Sequence, residues 1–162
     1  MSASARDELD YGDLEAESIR MISADHIWVL ATSSPGDGPT ARSMSIVNDG
    51  LGLWFQTGAD SRKYAQIVSE PRVALCRANM QYEGLARNAG KATDTGNEWF
   101  LEEYGRVHPG SYAAYGSLPE ERVIHVQALR VRLWRYLDGR PCRDCLEVEG
   151  RRAWREWQAK RV

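Results

Sequence analysis

Residues 55–64 read FQTGADSRKY, and this stretch decides how the middle of the chain is built. An apolar strand ends there, Gly58 breaks it, and a helix follows whose first turn carries Ser61, Arg62 and Lys63. The first N–H groups of a helix lack partners within the helix, and the positive end of the helix dipole lies there. Two cations and a hydroxyl at such a place predict a binding seat for a phosphate.

On both sides of this stretch, short apolar runs alternate with turn residues. Strands are predicted at 27–32, 40–48, 51–57, 72–77, 82–88, 123–127 and 129–137. Helices are predicted at 14–24 with Asp13 as its cap, at 60–69, at 97–107 and at 112–115, and a short strand and a final helix are predicted within 146–160. Gly84, inside one strand, indicates a bulge or a close backbone approach. This spacing predicts a barrel or a sandwich: either an all-β barrel with peripheral helices or a loosely α+β arrangement.

Composition excludes two classes of partner. The 162 residues fit one domain that can bury a sizeable core. A formal net charge of −2 provides no positive field for nucleic acid or for an anionic membrane surface. The expected partner is therefore a small molecule or another protein.

The ends and apolar runs of the chain bear on its location. Residues 1–17 are polar and acidic, so no secretory signal is expected, and no apolar run approaches the roughly 18 residues of a membrane helix. The chain is expected to be cytoplasmic, with its three cysteines as reduced thiols.

The strand predicted at 40–48 carries the second polar feature. Alternation places Arg42 and Met44 on one face and Ser43 and Ser45 on the other. An arginine beside small hydroxyl residues on a central strand suits contact with a planar polar ligand. The alternative for the cations of 61–63 is an ordinary solvated helix turn, although cations are disfavoured at a helix start and a bound anion would remove that conflict.

These segments, in this order, resemble the flavin-binding split barrels related to pyridoxamine 5'-phosphate oxidase. The resemblance runs from about residue 27 to residue 137 and rests on VLAT at 29–32, RSMS at 42–45, FQT at 55–57, SRK at 61–63, EPRVAL at 70–75 and YEGLA at 82–86. Residues 99–117 resemble the uncharacterised bacterial branch of that superfamily more closely than the vitamin-making enzyme.

The resemblance implies a six-stranded Greek-key split β-barrel that forms a homodimer, with one FMN in each of two grooves at the interface. The whole chain, 1–162, would be a single domain with its core at about 25–137 and a tail at 138–162. The residues implied in FMN binding are Arg42, Ser43, Met44, Ser45, Gln56, Thr57, Ser61, Arg62, Lys63, Gln81 (or Asn79) and Trp134. Arg62 and Lys63 would hold the phosphate, and Trp134 would cover the flavin from the partner subunit.

One departure from the vitamin-making enzyme limits the function that carries over. That enzyme has an Arg-x-His-x-Arg-type ending after its late tryptophan, whereas residues 138–145 here read DGRPCRDC and contain no histidine. The expected function is flavin-mediated oxidation or reduction of an unknown small molecule, with no side-chain catalytic residue assigned. The alternatives are a non-catalytic flavin or haem sensor and a reductase that uses the deazaflavin F420.

Other motifs offer rival functions. Cys142 and Cys145 have C-x-x-C spacing, but a redox motif needs a βαβ context and a zinc site needs two further ligands. They are therefore predicted to be loop cysteines, and no metal is expected. His108 is interpreted as a helix-end residue. Trp154 and Trp157, in a basic tail, are predicted to dock a final helix on the barrel or on a dimer partner rather than to bind nucleic acid.

Overall fold

The computed structural model describes residues 6–158, and within them the chain forms four helices and ten strands. The helices are α1 (Tyr11–Ser23), α2 (Arg62–Ser69), α3 (Glu98–Val107) and α4 (Pro109–Tyr115). The strands are β1 (Arg6–Glu8), β2 (Ile27–Thr32), β3 (Thr40–Ser45), β4 (Val47–Asp49), β5 (Gly52–Gly58), β6 (Arg72–Arg77), β7 (Met80–Asn88), β8 (Glu121–Leu137), β9 (Arg140–Glu147) and β10 (Arg152–Trp157).

All described strands join one antiparallel sheet, in the order β1-β10-β9-β8-β7-β6-β2-β3. β5 also pairs with β8, and β4 pairs with β5. The long strand β8 makes this possible, because residues 121–126 pair with β5 while residues 130–137 pair with β9. The sheet therefore divides at β8, which gives the split-barrel architecture expected from the sequence; the strand count of ten exceeds the expected six.

The core lies on the inner face of this sheet. Directly opposite residues in antiparallel strands point to the same face, and one such row is buried throughout: Leu30, Leu75, Tyr82, Val131, Leu146 and Ala153. α1 adds Leu14 and Ile22 to the same core. Burying each large apolar side chain contributes about 1.5–3 kcal/mol. This row thus ties the early strands to the last ones.

Gly84 lies at an irregularity in the β7–β8 pairing, as its position within a strand predicted. The register shifts between Glu83 and Gly84. A Cβ atom at Gly84 would lie 2.5 Å from Val126 Cγ1 and 2.7 Å from the Gln127 carbonyl oxygen. Only glycine lets β7 approach β8 this closely.

The structure corrects several predicted boundaries. α1 begins earlier than predicted because Asp10 caps it, accepting a hydrogen bond from the Asp13 N–H at 2.9 Å. The strand predicted at 40–48 is divided into β3 and β4, and the two strands predicted at 123–137 are one. β3 ends the order of strands, so it is an edge strand of the chain and not the central strand expected.

The tail contains strands where a helix was predicted. Residues 152–157, RAWREW, form β10, which pairs with β9 on one side and with β1 on the other. Trp154 and Trp157 therefore lie on opposite faces of a strand, while residues 159–162 lie outside the described residues. No helix within residues 6–158 is both long enough and apolar enough to span a membrane.

Candidate functional site

The site begins at the turn between β5 and α2. Ser61 caps α2, and its Oγ accepts a hydrogen bond from the Tyr64 N–H at 3.2 Å. The same Oγ lies 3.0 Å from Thr57 Oγ1. Ser61 thus precedes the first helical turn instead of standing within it, and the two hydroxyls fix the end of β5 against the start of α2.

A cavity of about 290 Å³ opens beside this turn. We call it the β5–α2 pocket. Its lining residues come from β3, β5, both helices of the α3–α4 pair and the starts of α2 and β8: Ser43, Met44, Ser45, Gln56, Thr57, Gly58, Lys63, Tyr104, Ser111, Tyr115 and Glu121. Six residues predicted from the sequence to bind the cofactor therefore meet in one place.

Gln56 is the most unusual residue of this pocket. Its side chain is 6 % exposed, yet neither its Nε2 nor its Oε1 has a hydrogen-bond partner within the part of the chain that the structure describes. Leaving a buried polar group unpaired costs about 1–3 kcal/mol. An amide that lines a cavity without partners is placed to bind a ligand that supplies them.

Lys63 provides the positive charge of the pocket. Burial lowers the pKa of its ammonium group, and the nearby Arg42 guanidinium lowers it further, while Glu121 and Asp60 act in the opposite direction. Within residues 6–158 the lysine forms no salt bridge at 4.0 Å or less. A partly buried cation without a paired carboxylate favours an incoming anion.

Arg42 lies behind the pocket, tied to backbone and hydroxyl groups. Its Nη1 donates to the Leu30 carbonyl oxygen at 3.2 Å and to Thr32 Oγ1 at 2.7 Å, and its Nη2 donates to Thr40 Oγ1. Burial lowers the pKa of Arg42, and the positive charge of Arg62 lowers it further. Arg42 thus acts on the pocket through charge, because it is not among the lining residues.

Arg62 makes a different set of contacts from Lys63. Its Nη2 donates to Asp37 Oδ1 at 2.6 Å and its Nε donates to Asp37 Oδ2 at 3.0 Å. Gln66 Nε2 also donates to Asp37, at 2.9 Å. The hydrogen bond from Arg62 lowers the pKa of Asp37. The guanidinium of Arg62 therefore already has a carboxylate partner, and the two predicted phosphate ligands are not equivalent.

Gln81 and Trp134 lie in another cavity. This second pocket, of about 380 Å³, is lined by Ala78, Asn79, Gln81, Arg132, Trp134 and Arg143. Asn79 Nδ2 donates to the Trp134 carbonyl oxygen at 2.8 Å, and the Arg143 guanidinium lies 6.0 Å from the Trp134 ring centre. The two pockets share no lining residue, so a single chain does not bring these two side chains to the β5–α2 pocket.

Both pockets nonetheless open on the outer face of the sheet. Ser43 pairs with Val29, Val29 with Cys76, and Cys76 with Gln81. Because opposite residues share a face, this row runs from one pocket to the other, about 14 Å at ordinary strand spacing. Val29 is 38 % exposed, and its neighbour on the same face, Ile27, is 51 % exposed. An apolar surface therefore separates the two pockets.

Four lining residues were not predicted from the sequence as site residues: Tyr104, Ser111, Tyr115 and Glu121. Tyr104 is almost fully buried, and burial raises the pKa of its hydroxyl, while the nearby Ser111 and Ser45 hydroxyls lower it. The helical spacing of 97–107 indicated that Tyr104 would be buried, but nothing in it indicated that the hydroxyl would face β3.

The two cysteines of the C-x-x-C motif lie in β9 and not in a loop as predicted. Cys142 pairs with Arg135 and Cys145 with Arg132, so an odd spacing of three places the two thiols on opposite faces of the strand. Both are buried, and burial raises the pKa of each thiol. Among residues 6–158, no group of three or more His, Cys, Asp or Glu side chains could hold a metal ion.

Comparison with known proteins defines the class to which this fold and site belong. The family model described as pyridoxamine 5'-phosphate oxidase matches residues 14–135. This chain belongs to that family. It is 31 % identical, over 118 residues, to a pyridoxine/pyridoxamine 5'-phosphate oxidase of Rubrobacter xylanophilus. That match covers 70 % of this chain and 54 % of the relative, so the chain spans about half the length of this curated relative.

Solved structures share the fold at lower identity. A pyridoxamine 5'-phosphate oxidase-related, FMN-binding protein from Nostoc punctiforme has a TM-score of 0.58 and 15 % identity, covering 91 % of this chain and 94 % of its own. A haem-binding protein from Mycobacterium smegmatis has a TM-score of 0.65 and 16 % identity, covering 82 % of this chain and 57 % of its own. At these identities the similarity establishes the fold.

Proposed function

We propose that this chain is an FMN-binding flavoprotein whose phosphate seat is the β5–α2 pocket. The observation that carries the proposal is the combination of Gln56 and Lys63 in one cavity. A buried amide without partners and a cation without a carboxylate are the two groups that a phosphorylated polyol would satisfy. Membership of a family with FMN-binding relatives supports the same ligand.

The residues present fit the parts of FMN. Lys63 would hold the phosphate together with the first N–H groups of α2, where the helix dipole favours an anion. The Gln56 amide, with Thr57 Oγ1, would bind the ribityl hydroxyls. Ser43 and Ser45 on the edge strand would face the ring, and Arg42 would add positive charge from behind them. Arg62 would hold the turn at residues 33–39 through Asp37 and so shape the seat.

When bound, the flavin supplies the electron-transfer chemistry, and the protein supplies position and charge. The buried cations Arg42 and Lys63 favour a negatively charged ligand over a neutral one. Tyr104, which lines the pocket beside Ser45 and Ser111, would close one side of it and limit access of water. We propose oxidation or reduction of a small molecule as the reaction. The vitamin B6 reaction is not proposed, because residues 138–145, which form a turn and the first part of β9, contain no histidine.

A homodimer would complete the site. Gln81 and Trp134, which lie in the second pocket, would cover the flavin held by the β5–α2 pocket of the partner chain. The exposed apolar residues Ile27 and Val29 between the two pockets support this arrangement, since exposed apolar surface marks interaction sites.

All three cysteines are free, which supports the reducing compartment of the cytoplasm.

The absorbance spectrum of freshly purified protein tests this function. Flavin bands that follow the protein through gel filtration, and FMN identified after heat release, are the expected result. A Soret band would instead favour a haem binder, and a deazaflavin spectrum would favour F420. Analytical ultracentrifugation with absorbance detection tests the dimer, because flavin should sediment with the dimer and be released from any monomer.

A further inference from the structure

Glu121 is a buried carboxylic acid at the phosphate end of the β5–α2 pocket. It begins β8 and pairs in register with Gly58, the last residue of β5. Its side chain is 9 % exposed, and its Oε1 lies 3.6 Å from the position that a Cβ atom at Gly58 would take. The carboxyl group therefore lies over the turn that leads into α2.

Charged and titratable groups face Glu121 from every neighbouring element. Lys63 faces it from α2, Asp60 from the β5–α2 turn and Glu120 from the preceding loop. From the helical pair, Tyr104 and Tyr115 line the same pocket. Burial raises the pKa of Glu121; Lys63 opposes this effect, whereas Glu120 and Asp60 add to it.

Among the described groups whose charge acts on the Glu121 carboxyl, Lys63 is the one cation, and a bound phosphate would compete for it. A phosphate ester is mostly a dianion at neutral pH, since its second pKa is about 6. Placing a dianion beside Lys63 sets a second negative group against the Glu121 carboxylate in a partly buried space. Like charges in such a site disfavour the ionised form of one of them.

We propose that Glu121 takes up a proton from solvent when a phosphate group binds beside Lys63, and so makes the affinity of the pocket for phosphorylated ligands depend on pH. This inference rests on the proposed FMN function. The proton adds to the Glu121 carboxylate and no covalent bond breaks. Because the bound state holds the extra proton, Glu121 weakens phosphate binding progressively as the pH rises.

Calorimetry with the unmodified protein measures the proton directly. FMN and riboflavin are titrated into flavin-free protein at about pH 7.5, where the FMN phosphate is already a dianion, in two buffers of different ionisation enthalpy. FMN should be bound with net uptake of protons, and riboflavin with none. FMN binding without net proton uptake overturns the inference.

Variants then assign the proton to its residue. Glu121→Gln is compared with Glu120→Gln, which removes the same charge from an exposed neighbour. At about pH 5.5 the Glu121 variant should bind FMN like the wild type, and at about pH 8 it should bind about tenfold more tightly, the equivalent of one pKa unit. The Glu120 variant should keep a pH dependence like that of the wild type, displaced slightly to lower pH because Glu120 adds to the raised pKa of Glu121. Equal pH profiles for wild type and Glu121→Gln would overturn the assignment.

These outcomes separate the inference from the function on which it rests. If neither FMN nor riboflavin binds the protein, the proposed function fails and the inference fails with it. If FMN binds but its affinity follows the same pH profile with and without Glu121, only the inference fails.

Discussion

Two buried polar side chains of this molecule, Asp144 and Gln56, differ in whether they have hydrogen-bond partners. Asp144 of β9 is almost fully buried, and Arg155 donates two hydrogen bonds to it, at 2.6 and 2.8 Å. Arg135 Nε lies 2.9 Å from the same carboxylate. Gln56 of β5 is nearly as buried, but neither of its amide atoms has a partner within residues 6–158.

This difference in hydrogen bonding distinguishes buried polar residues that stabilise the fold from buried polar residues that bind a ligand. Both carboxylate oxygens of Asp144 are paired, and its ion pair with Arg135 leads on to Glu17 of α1 at 2.9 Å, so these charges join β8, β9, β10 and the first helix. The Gln56 group is incomplete and lies beside the unpaired Lys63 in a cavity. A buried polar group whose oxygens are all paired indicates a structural role. A buried polar group left unpaired next to a cavity indicates a ligand site.

The largest expected effect is the loss of stability when the paired carboxylate of Asp144 is removed. Asp144→Ala leaves two arginines without their buried carboxylate, which costs about 3–5 kcal/mol in a buried ion pair. The free energy of unfolding, measured by urea denaturation, should fall by that amount. Glu149→Ala, at an exposed position after the same strand, should leave stability unchanged. Equal stabilities for the two variants would contradict a structural role for Asp144.

The second effect separates the two neighbouring cations of α2. Lys63→Ala should weaken FMN binding about ten- to a hundredfold, through loss of a hydrogen bond to a charged group of about 1.5–3 kcal/mol. Arg62→Ala should weaken it less, because Asp37 already holds that guanidinium. Fluorescence titration measures both, with Lys91→Ala as the charge-matched control. A larger loss from Arg62 than from Lys63 would reverse our assignment.

The third effect concerns the free-energy cost of leaving the Gln56 amide unpaired in the absence of ligand. Gln56→Leu should raise the thermal stability of flavin-free protein, because an unpaired buried amide costs about 1–3 kcal/mol. The same change should weaken FMN binding roughly tenfold, since a neutral hydrogen bond contributes about 0.5–1.5 kcal/mol. Gln127→Leu, at an exposed position of β8, is the control for added apolar surface. A destabilised Gln56→Leu protein would mean that the amide has a structural partner after all.

The smallest effect concerns the cysteines of the tail. Burial raises the pKa of Cys142 and of Cys145, so their reactive thiolate forms are scarce at neutral pH. A thiol reagent should label the exposed Cys76 in native protein and all three cysteines after unfolding. Rapid labelling of Cys145 in the native state, or an oxidised Cys142–Cys145 pair by mass spectrometry, would contradict their placement on opposite strand faces.

Much of the fold could be predicted because local sequence and tertiary packing agree. β2 and β6 lie at their predicted boundaries, and the glycine in β7 marks the irregularity that it predicted. The final strand of the tail could not be predicted, because its sequence RAWREW has no alternation of apolar and polar residues. The sequence alone shows three charged residues typical of a solvated helix surface: Arg152, Arg155 and Glu156. In the structure each forms a salt bridge with a charged side chain of β9.

The candidate site could be predicted only where its residues are close in sequence. Gln56, Thr57 and Lys63 surround one turn, so the turn itself indicated an anion seat. Tyr104 and Glu121 come from distant segments. α3 brings Tyr104 in by packing against β4 and α4, and the pairing of β8 with β5 places Glu121 opposite Gly58. Asp37, the partner of Arg62, likewise precedes it by 25 residues in the sequence, and no local sequence pattern predicts that ion pair.

A crystal structure of the protein with FMN tests the central claim most directly. We expect the phosphate beside Lys63 at the start of α2, and both amide atoms of Gln56 within about 3.2 Å of ribityl oxygens. Such contacts would complete the group that the protein alone leaves unpaired. A flavin bound elsewhere, or a Gln56 amide still without ligand contacts in the complex, would contradict the account.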